Sequence, residues 1–496
     1  MLLSLLLLAG CGAEPDATIR FGVATGARNL DPRLATDATS ERVNRLLYRR
    51  LVEFDAHSLP TPGIARWEQL SPTSYRFTLG AEGRQFSDST WLTAADVAAT
   101  YRSILDPDTA SPHRALLSII EQITVLDPDR LEFRLREADP LFPAYLGIGI
   151  CPAARIDDGA DLARAPVGSG PYELVDWPAP GRLLLRRRAD GQLLELVTVQ
   201  DPNVRVMKLL RGEVDLLQND LPPELVAWLR RQQGVRVETA PGVNFSYLGF
   251  NLEDPATGVL AVRQAVAHAI DRGAILRWLF QGAGREAEAM FPPEHWAGAR
   301  TLPSLRHDPA LARRLLQAAG YGPDRPLRLT LKASSDPFRL RLATVVQAQL
   351  ADVGIELAVQ SYDWGTFFGD IKAGRFQLYG LTWVGVRTPD IFRYVFHSAS
   401  IPPDGANRGR YRSPVADDLI ERARAEPDLA DQATLYRQLQ ALLLADLPYV
   451  PLWYEDQIAV MRTDLEDYRL APDGNYDALT DVRRKGMVGD LSSTRP

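Results

Sequence analysis

Cysteine is almost absent from this 496-residue chain, which has Cys11 and Cys151 and no others. Two cysteines cannot make a disulfide-stapled scaffold, so stability has to come from burial in a large fold. Lysine is nearly as scarce, at Lys208, Lys332, Lys372 and Lys485. The remaining basic residues are arginines, a bias we read as genome composition rather than function. There is no excess of positive charge either. The net charge of -7 argues against nucleic acid, whose recognition needs a basic patch. The apolar run Leu2–Leu8 is far shorter than the roughly 20 residues of a membrane span. The six histidines, at 57, 113, 268, 295, 307 and 397, are scattered, so neither a metal nor a cofactor is expected. His268 reads as a residue on a helix face. Catalytic signatures are missing as well. Gly168-Ser169-Gly170 has the wrong spacing for a nucleophile elbow. Gly147-Ile148-Gly149 and Gly282-Ala283-Gly284 lack the third glycine of a dinucleotide fingerprint. These absences favour a binding role without excluding an enzyme.

What is present begins at the N-terminus. Leu8-Ala9-Gly10-Cys11 closes a short apolar run with small residues, the pattern of a secretory signal. The tetrad resembles the bacterial lipobox, although no Lys or Arg lies between Met1 and Cys11. It implies a signal peptide over 1–10, lipidation at Cys11 and a tether over Glu14–Thr18. The expected location is the periplasm or cell envelope, anchored to the membrane by lipid. Cys151 lies in an apolar stretch and reads as a small core hydrophobe. With 46% hydrophobic residues the chain can build about three domains. No Gly/Ser linker separates them, so they are interwoven or tightly abutted.

The periodicity is mixed α and β. Thr93 and Asp96 form a capping box ahead of Val97, Tyr101 and Ile104. Asp106-Pro107 ends that helix. Val204–Arg211 reads as a helix closed by Gly212, followed by a strand over Glu213–Leu217. From Pro309 to Trp383 the pattern runs helix, strand, helix, strand, helix, strand, with stops at Gly320 and Gly354 and a helix over Phe367–Ala373. Such alternation packs as a parallel sheet, whose ligands sit at the carboxyl ends of the strands.

Several short blocks then share one order. They are Leu30-Asp31-Pro32, Pro62–Glu68, Tyr75–Leu79, Phe86-Ser87-Asp88, Leu92–Val97, Gly168–Tyr172 and Arg211–Asp215. Phe250-Asn251, Val262–Ala265 and Ala269–Arg272 follow. Together, from Ile19 to Val482, they resemble the family 5 extracellular solute-binding proteins, the oligopeptide- and dipeptide-binding partners of ABC importers.

That resemblance implies an α/β type II periplasmic-binding fold, cluster C like, with two lobes, a hinge and an extra domain. Lobe I would be 17–52, 166–247 and 457–496, the extra domain 53–165 and lobe II 248–456. The hinge would lie near Tyr247–Asn251 and Leu452–Ile458. The implied role is a monomeric substrate-binding lipoprotein that delivers a small peptide or peptide-like solute to permease and ATPase subunits. A nickel chelate, haem or oligosaccharide stays open as the solute. A lipid-anchored sensor or structural lipoprotein, or an exported enzyme, are the alternatives. Matching blocks place Thr36, Asp37, Ala38, His113, Gln218, Asn219, Trp364, Thr382, Trp383, Val384, Tyr454 and Glu455 at the ligand. One departure stands out. Peptide-binding relatives carry an Asp three residues after the lobe II Trp, pairing with the ligand's ammonium, and here that position is Val386 beside Arg387. An unpartnered buried ammonium is disfavoured, and Arg387 favours an anionic group. Asp37 or Glu455 are the candidate substitutes for the missing carboxylate.

Overall fold

A computed structural model describes residues 18–179 and 181–485; the signal and lipidation motif around Cys11 lies outside them. The frame is one long mixed sheet. Its strands run, edge to edge, Ile355–Tyr362, Leu327–Ser334, Leu378–Trp383, Val235–Phe250, Tyr449–Arg462, Leu216–Gln218, Ile19–Val23, Leu193–Thr198, Arg182–Arg187 and Tyr172–Ala179. The expected parallel set is present: Leu327–Ser334 pairs in parallel with both Ile355–Tyr362 and Leu378–Trp383. Its helices span Pro309–Ala318, Pro337–Ala351 and Trp364–Ala373. The last begins earlier than its apolar residues suggest, because the Asp363 side chain caps it by accepting from the Thr366 N–H. The strand after Gly212 is shorter than expected, Leu216–Gln218. Arg20 N–H donates to the buried Asp215 carboxylate there, at 2.8 Å.

Val235–Phe250 and Tyr449–Arg462 are long enough to belong to both halves of the sheet. Their upstream and downstream ends pair as Val235–Ala240 with Gln457–Arg462, and Asn244 pairs with Glu455. Between Ala240 and Asn244 the register shifts. It shifts again between Ser246 and Tyr247, so the irregular crossing runs over 241–247 and meets the expected Tyr247–Asn251 at Tyr247, which with Leu248 also pairs with Leu381 and Gly380.

Each half has its own apolar core. Phe21, Leu194, Leu216 and Met461 sit in one, together with Cys151. Val266, Leu329, Leu350 and Trp453 sit in another, and Phe245, Phe392, Tyr436 and Tyr454 fill the opposite sheet face. A separate antiparallel sheet, Ala65–Ser71, Ser74–Leu79, Arg130–Leu135 and Ile120–Asp127, encloses a further core. Phe133 is its centre, edge-on to Phe77 and to Tyr101 at 5.4 and 5.6 Å. Helix Ala94–Leu105 covers it, with Asp96 accepting from Thr93 N at 2.7 Å and Thr93 Oγ1 at 2.8 Å. Arg263, a surface charge by its spacing, is instead buried and donates to the Asp446, Thr257 and Gly258 carbonyls.

Candidate functional site

A groove runs between the two halves of the sheet, and three hollows open along it, two carrying many charged side chains and one mainly apolar. The hollow of about 320 Å³ at one end is walled by helix Ala38–Leu47, by Gly147–Gly149, by His113 and by the loop Val384–Arg387. The one at the other end, about 520 Å³, lies between Asn219-Asp220 and Glu455-Asp456. A smaller hollow of about 200 Å³ leads into lobe II beside Ser246, Thr382, Arg339 and Trp364. A larger space of about 950 Å³ lies on the outer edge of lobe II, between helix Pro309–Ala318 and the edge strand Ile355–Tyr362. It is remote from the groove and gathers none of the expected residues.

Cross-strand register assembles the middle of the groove. Ser246 stands opposite Thr382 and Trp453, so its hydroxyl reaches Thr382 Oγ1 at 2.7 Å and donates to Glu455 Oε1 at 2.7 Å. Arg339, on helix Pro337–Ala351, adds a guanidinium 3.3 Å from the same oxygen. The Glu455 carboxylate is thus partnered before any ligand arrives. Trp364 stands 58% exposed at the mouth of the smaller hollow, stacked on Phe368 at 5.4 Å.

Ala38, His113 and Val384 come together in the first hollow. Burial holds the His113 imidazole below its ordinary pKa, and its Nε2 is buried without a partner. Asn219 lines the far hollow, but both ends of its side chain are engaged. Its Nδ2 donates to Gln457 Oε1 at 2.7 Å, and its Oδ1 accepts from Ile458 N at 2.9 Å.

Several expected residues go elsewhere. Tyr454 is buried, its hydroxyl 2.6 and 2.9 Å from the Ala289 and Phe291 carbonyl oxygens, and it lines none of these hollows. The physical reason is that its strand is central there and is covered on both faces, with Trp453 entering one core and Tyr454 the other. Gln218 also turns inward, donating to the Gly474 carbonyl at 2.8 Å and accepting from the Tyr468 hydroxyl. Asp37 caps helix Ala38–Leu47 by accepting from Ser40 N at 2.9 Å and from the Ser40 hydroxyl. Thr36 is exposed just before that cap. Trp383 points to the opposite sheet face from Thr382, lying 6.4 Å from the Tyr247 ring and 4.8 Å from the Arg408 guanidinium.

Residues that sequence reasoning passed over matter as much. Glu41, Arg42, Asn44, Arg45 and Arg50 all line the first hollow. The signal was available, since 38, 41, 42 and 45 share one face of a helix. Ser246 and Arg339 had no such signal, because strand pairing brings the first to Glu455 and the packing of helix Pro337–Ala351 on the sheet brings the second.

Comparison with known proteins agrees with this architecture. Residues 31–401 match the model for bacterial extracellular solute-binding proteins, family 5. A probable di/tripeptide-binding protein 5 of Pseudomonas aeruginosa is 27% identical, over 94% of this chain and 96% of its own. Among solved structures, the peptide-binding DppA of Helicobacter pylori, in complex with the peptide STSA, superposes with a TM-score of 0.78. It is 24% identical, covering 94% of this chain and 98% of that one. NikZ of Campylobacter jejuni, in complex with Ni(L-His), has a TM-score of 0.81 at 21% identity, covering 95% and 100%. One architecture therefore holds solutes as different as a peptide and a nickel–histidine complex, and the fold alone does not name the ligand. The chain belongs to the bacterial extracellular solute-binding proteins of family 5.

Proposed function

We propose that the two halves of the long sheet are lobes that close on a small peptide-like solute and present it to the permease of an ABC importer. Of the described residues, lobe I takes 18–52, 166–179, 181–247 and 457–485, lobe II takes 248–456, and 53–165 is the extra domain; residues 17, 180 and 486–496 of the expected lobe I lie outside them. The supporting observation is the pair of crossing strands whose register shifts between Ala240 and Asn244, at the groove where the polar hollows open. A register break between two well-packed half-sheets is where bending costs fewest hydrogen bonds, so motion concentrates there. Arg341 meets Glu224 across the groove at 3.2 Å, and Arg387 meets Asp473 at the other end. Both contacts join the lobes.

On this reading Ala38, His113, Asn219, Trp364, Thr382, Val384 and Glu455 face the solute, and the protein binds rather than catalyses. It acts as an extracytoplasmic monomer, held at the membrane by a lipid on Cys11. Small-angle scattering and thermal melting of the purified chain, with and without a bound dipeptide-sized solute, test the reading. Binding should reduce the radius of gyration and raise the melting temperature by mass action. A bound solute that changes neither overturns the clamshell.

A further inference from the structure

The hollow beside Arg387 contains polar groups whose requirements the protein does not meet. Helix Ala38–Leu47 turns Glu41, Arg42 and Arg45 toward it, and Arg387 enters from the loop that follows Trp383. Arg45 is held by Asp477 and Glu53, and Arg50 by Glu53. Arg42 lies 5.4 Å from the Tyr476 ring, hydrogen-bonds the Tyr476 hydroxyl and feels the charge of Asp220, but makes no ion pair within 4 Å among the described residues. Asn44 is 4% exposed, and neither its Oδ1 nor its Nδ2 has a partner. His113 Nε2 is likewise buried and unpartnered. Buried polar atoms are rarely left in this state in folded proteins, and three of them line one hollow.

The charge of the site has a definite sign. Arg387 faces Asp473 and stacks 5.1 Å from the Phe54 ring. Burial, then the nearby Arg45 and Arg50, holds its pKa down to about 9, and four arginines (42, 45, 50 and 387) line the hollow against the carboxyl groups of Glu41 and Asp473. The Arg387 fork has more donors than one carboxylate uses, leaving some for a second acceptor. The neighbouring Val386 side chain offers no carboxylate, because it packs against the apolar cluster of lobe II.

We infer that this hollow seats a carboxylate-bearing end of the solute between Arg387 and Arg42, with Asn44 and His113 bonding the polar atoms next to it. The inference rests on solute capture between the lobes, and it selects the class of solute: anionic at this end, with no ammonium there.

Calorimetry on the full chain with three probes tests it. N-acetyl-dialanine carries a carboxylate and no ammonium, dialaninamide carries an ammonium and no carboxylate, and glutarate carries carboxylates without a peptide. N-acetyl-dialanine should bind at least tenfold more tightly than dialaninamide, and Arg387→Met should remove that preference. Arg42→Gln should weaken N-acetyl-dialanine severalfold. Equal or tighter binding of dialaninamide by the unmodified chain overturns the anion site and leaves the peptide-like reading standing. Binding of glutarate alone, lost in Arg387→Met, supports the anion site and overturns the peptide-like reading. If no probe binds, both fall. The comparison in the unmodified chain needs no variant, so the inference stays falsifiable even if Arg387→Met does not fold.

Discussion

Gly242 and Glu455 pass so closely where the two long strands cross that a Cβ on Gly242 would lie 2.0 Å from the Glu455 carbonyl oxygen. No real side chain tolerates that approach to backbone. Gly242→Ala should therefore cost about 1–3 kcal/mol through forced displacement and lower the melting temperature. Gly369→Ala is the control. It lies in helix Trp364–Ala373 with nothing within 4 Å of its would-be Cβ, so it should be neutral or stabilising by up to about 1 kcal/mol. Equal melting temperatures for the two variants would show that the crossing is not tightly packed.

Tyr454→Phe removes a hydroxyl that satisfies buried carbonyls, not one that faces solute. The expected cost is about 1 kcal/mol of stability, with solute affinity unchanged. A tenfold loss of affinity in this variant, measured by calorimetry, would return Tyr454 to the groove.

Val386→Asp should shift specificity. A carboxylate at this position gives a charge-assisted bond of roughly 1.5–3 kcal/mol to an ammonium, or about tenfold or more in affinity. Dialaninamide should gain by that factor and N-acetyl-dialanine should lose. Thermal stability should fall as well, because Val386 packs against an apolar cluster and reaching the hollow means turning the new carboxylate out of that contact, with loss of its packing. Unaltered ratios between the two probes would disprove the assignment.

Glu41 gives a pH dependence of definite sign. Burial, then the nearby Asp37, holds its carboxyl up to about 7, against the pull of Arg50 and Arg45. The folded chain keeps a proton that the unfolded chain releases near 4.5. This contribution to stability is complete below that value and is lost as pH rises through about 7. His295 acts oppositely. Burial depresses it to about 4 from 6.5, so its contribution appears as pH rises through that window and is constant above it. The Glu41 term declines from about pH 4.5 to 7, overlapping that of Asp390, which burial holds up to about 6; between about pH 6 and 7.5 Glu41→Gln should reduce the slope in denaturant titrations. An unchanged slope there would refute the assignment.

Cys11→Ala should release a soluble form with folding intact, since the substitution lies ahead of the first strand, Ile19–Val23. Retention of the variant in the membrane pellet after a high-salt wash would count against the lipid tether.

The α/β run from Pro309 to Trp383 was legible because helix stops, caps and alternating leucines are local signals, and a parallel sheet needs no other information. The family blocks were legible for a related reason, as turns and caps such as Thr93-Asp96 leave fixed residue types at fixed spacing. The site was only partly legible. Arg387, adjacent in sequence to Val386, stood out, whereas Arg339 and Ser246 did not. Trp383 and Thr382 are neighbours in sequence, yet alternation along a strand sends them to opposite faces of the sheet.

By itself, then, the amino-acid order determined the α/β class, the ordering of elements and the placing of the cationic Arg387 beside Val386 in one loop, all of which depend on residues a few positions apart. Tertiary structure decided the rest. It set the register shifts of the two long strands between Ala240 and Tyr247, buried Tyr454 and Gln218, and brought Arg387 to the hollow that Arg42 and Asn44 line. Those outcomes depend on strand register and on which sheet faces are covered, and contacts between residues hundreds of positions apart fix both.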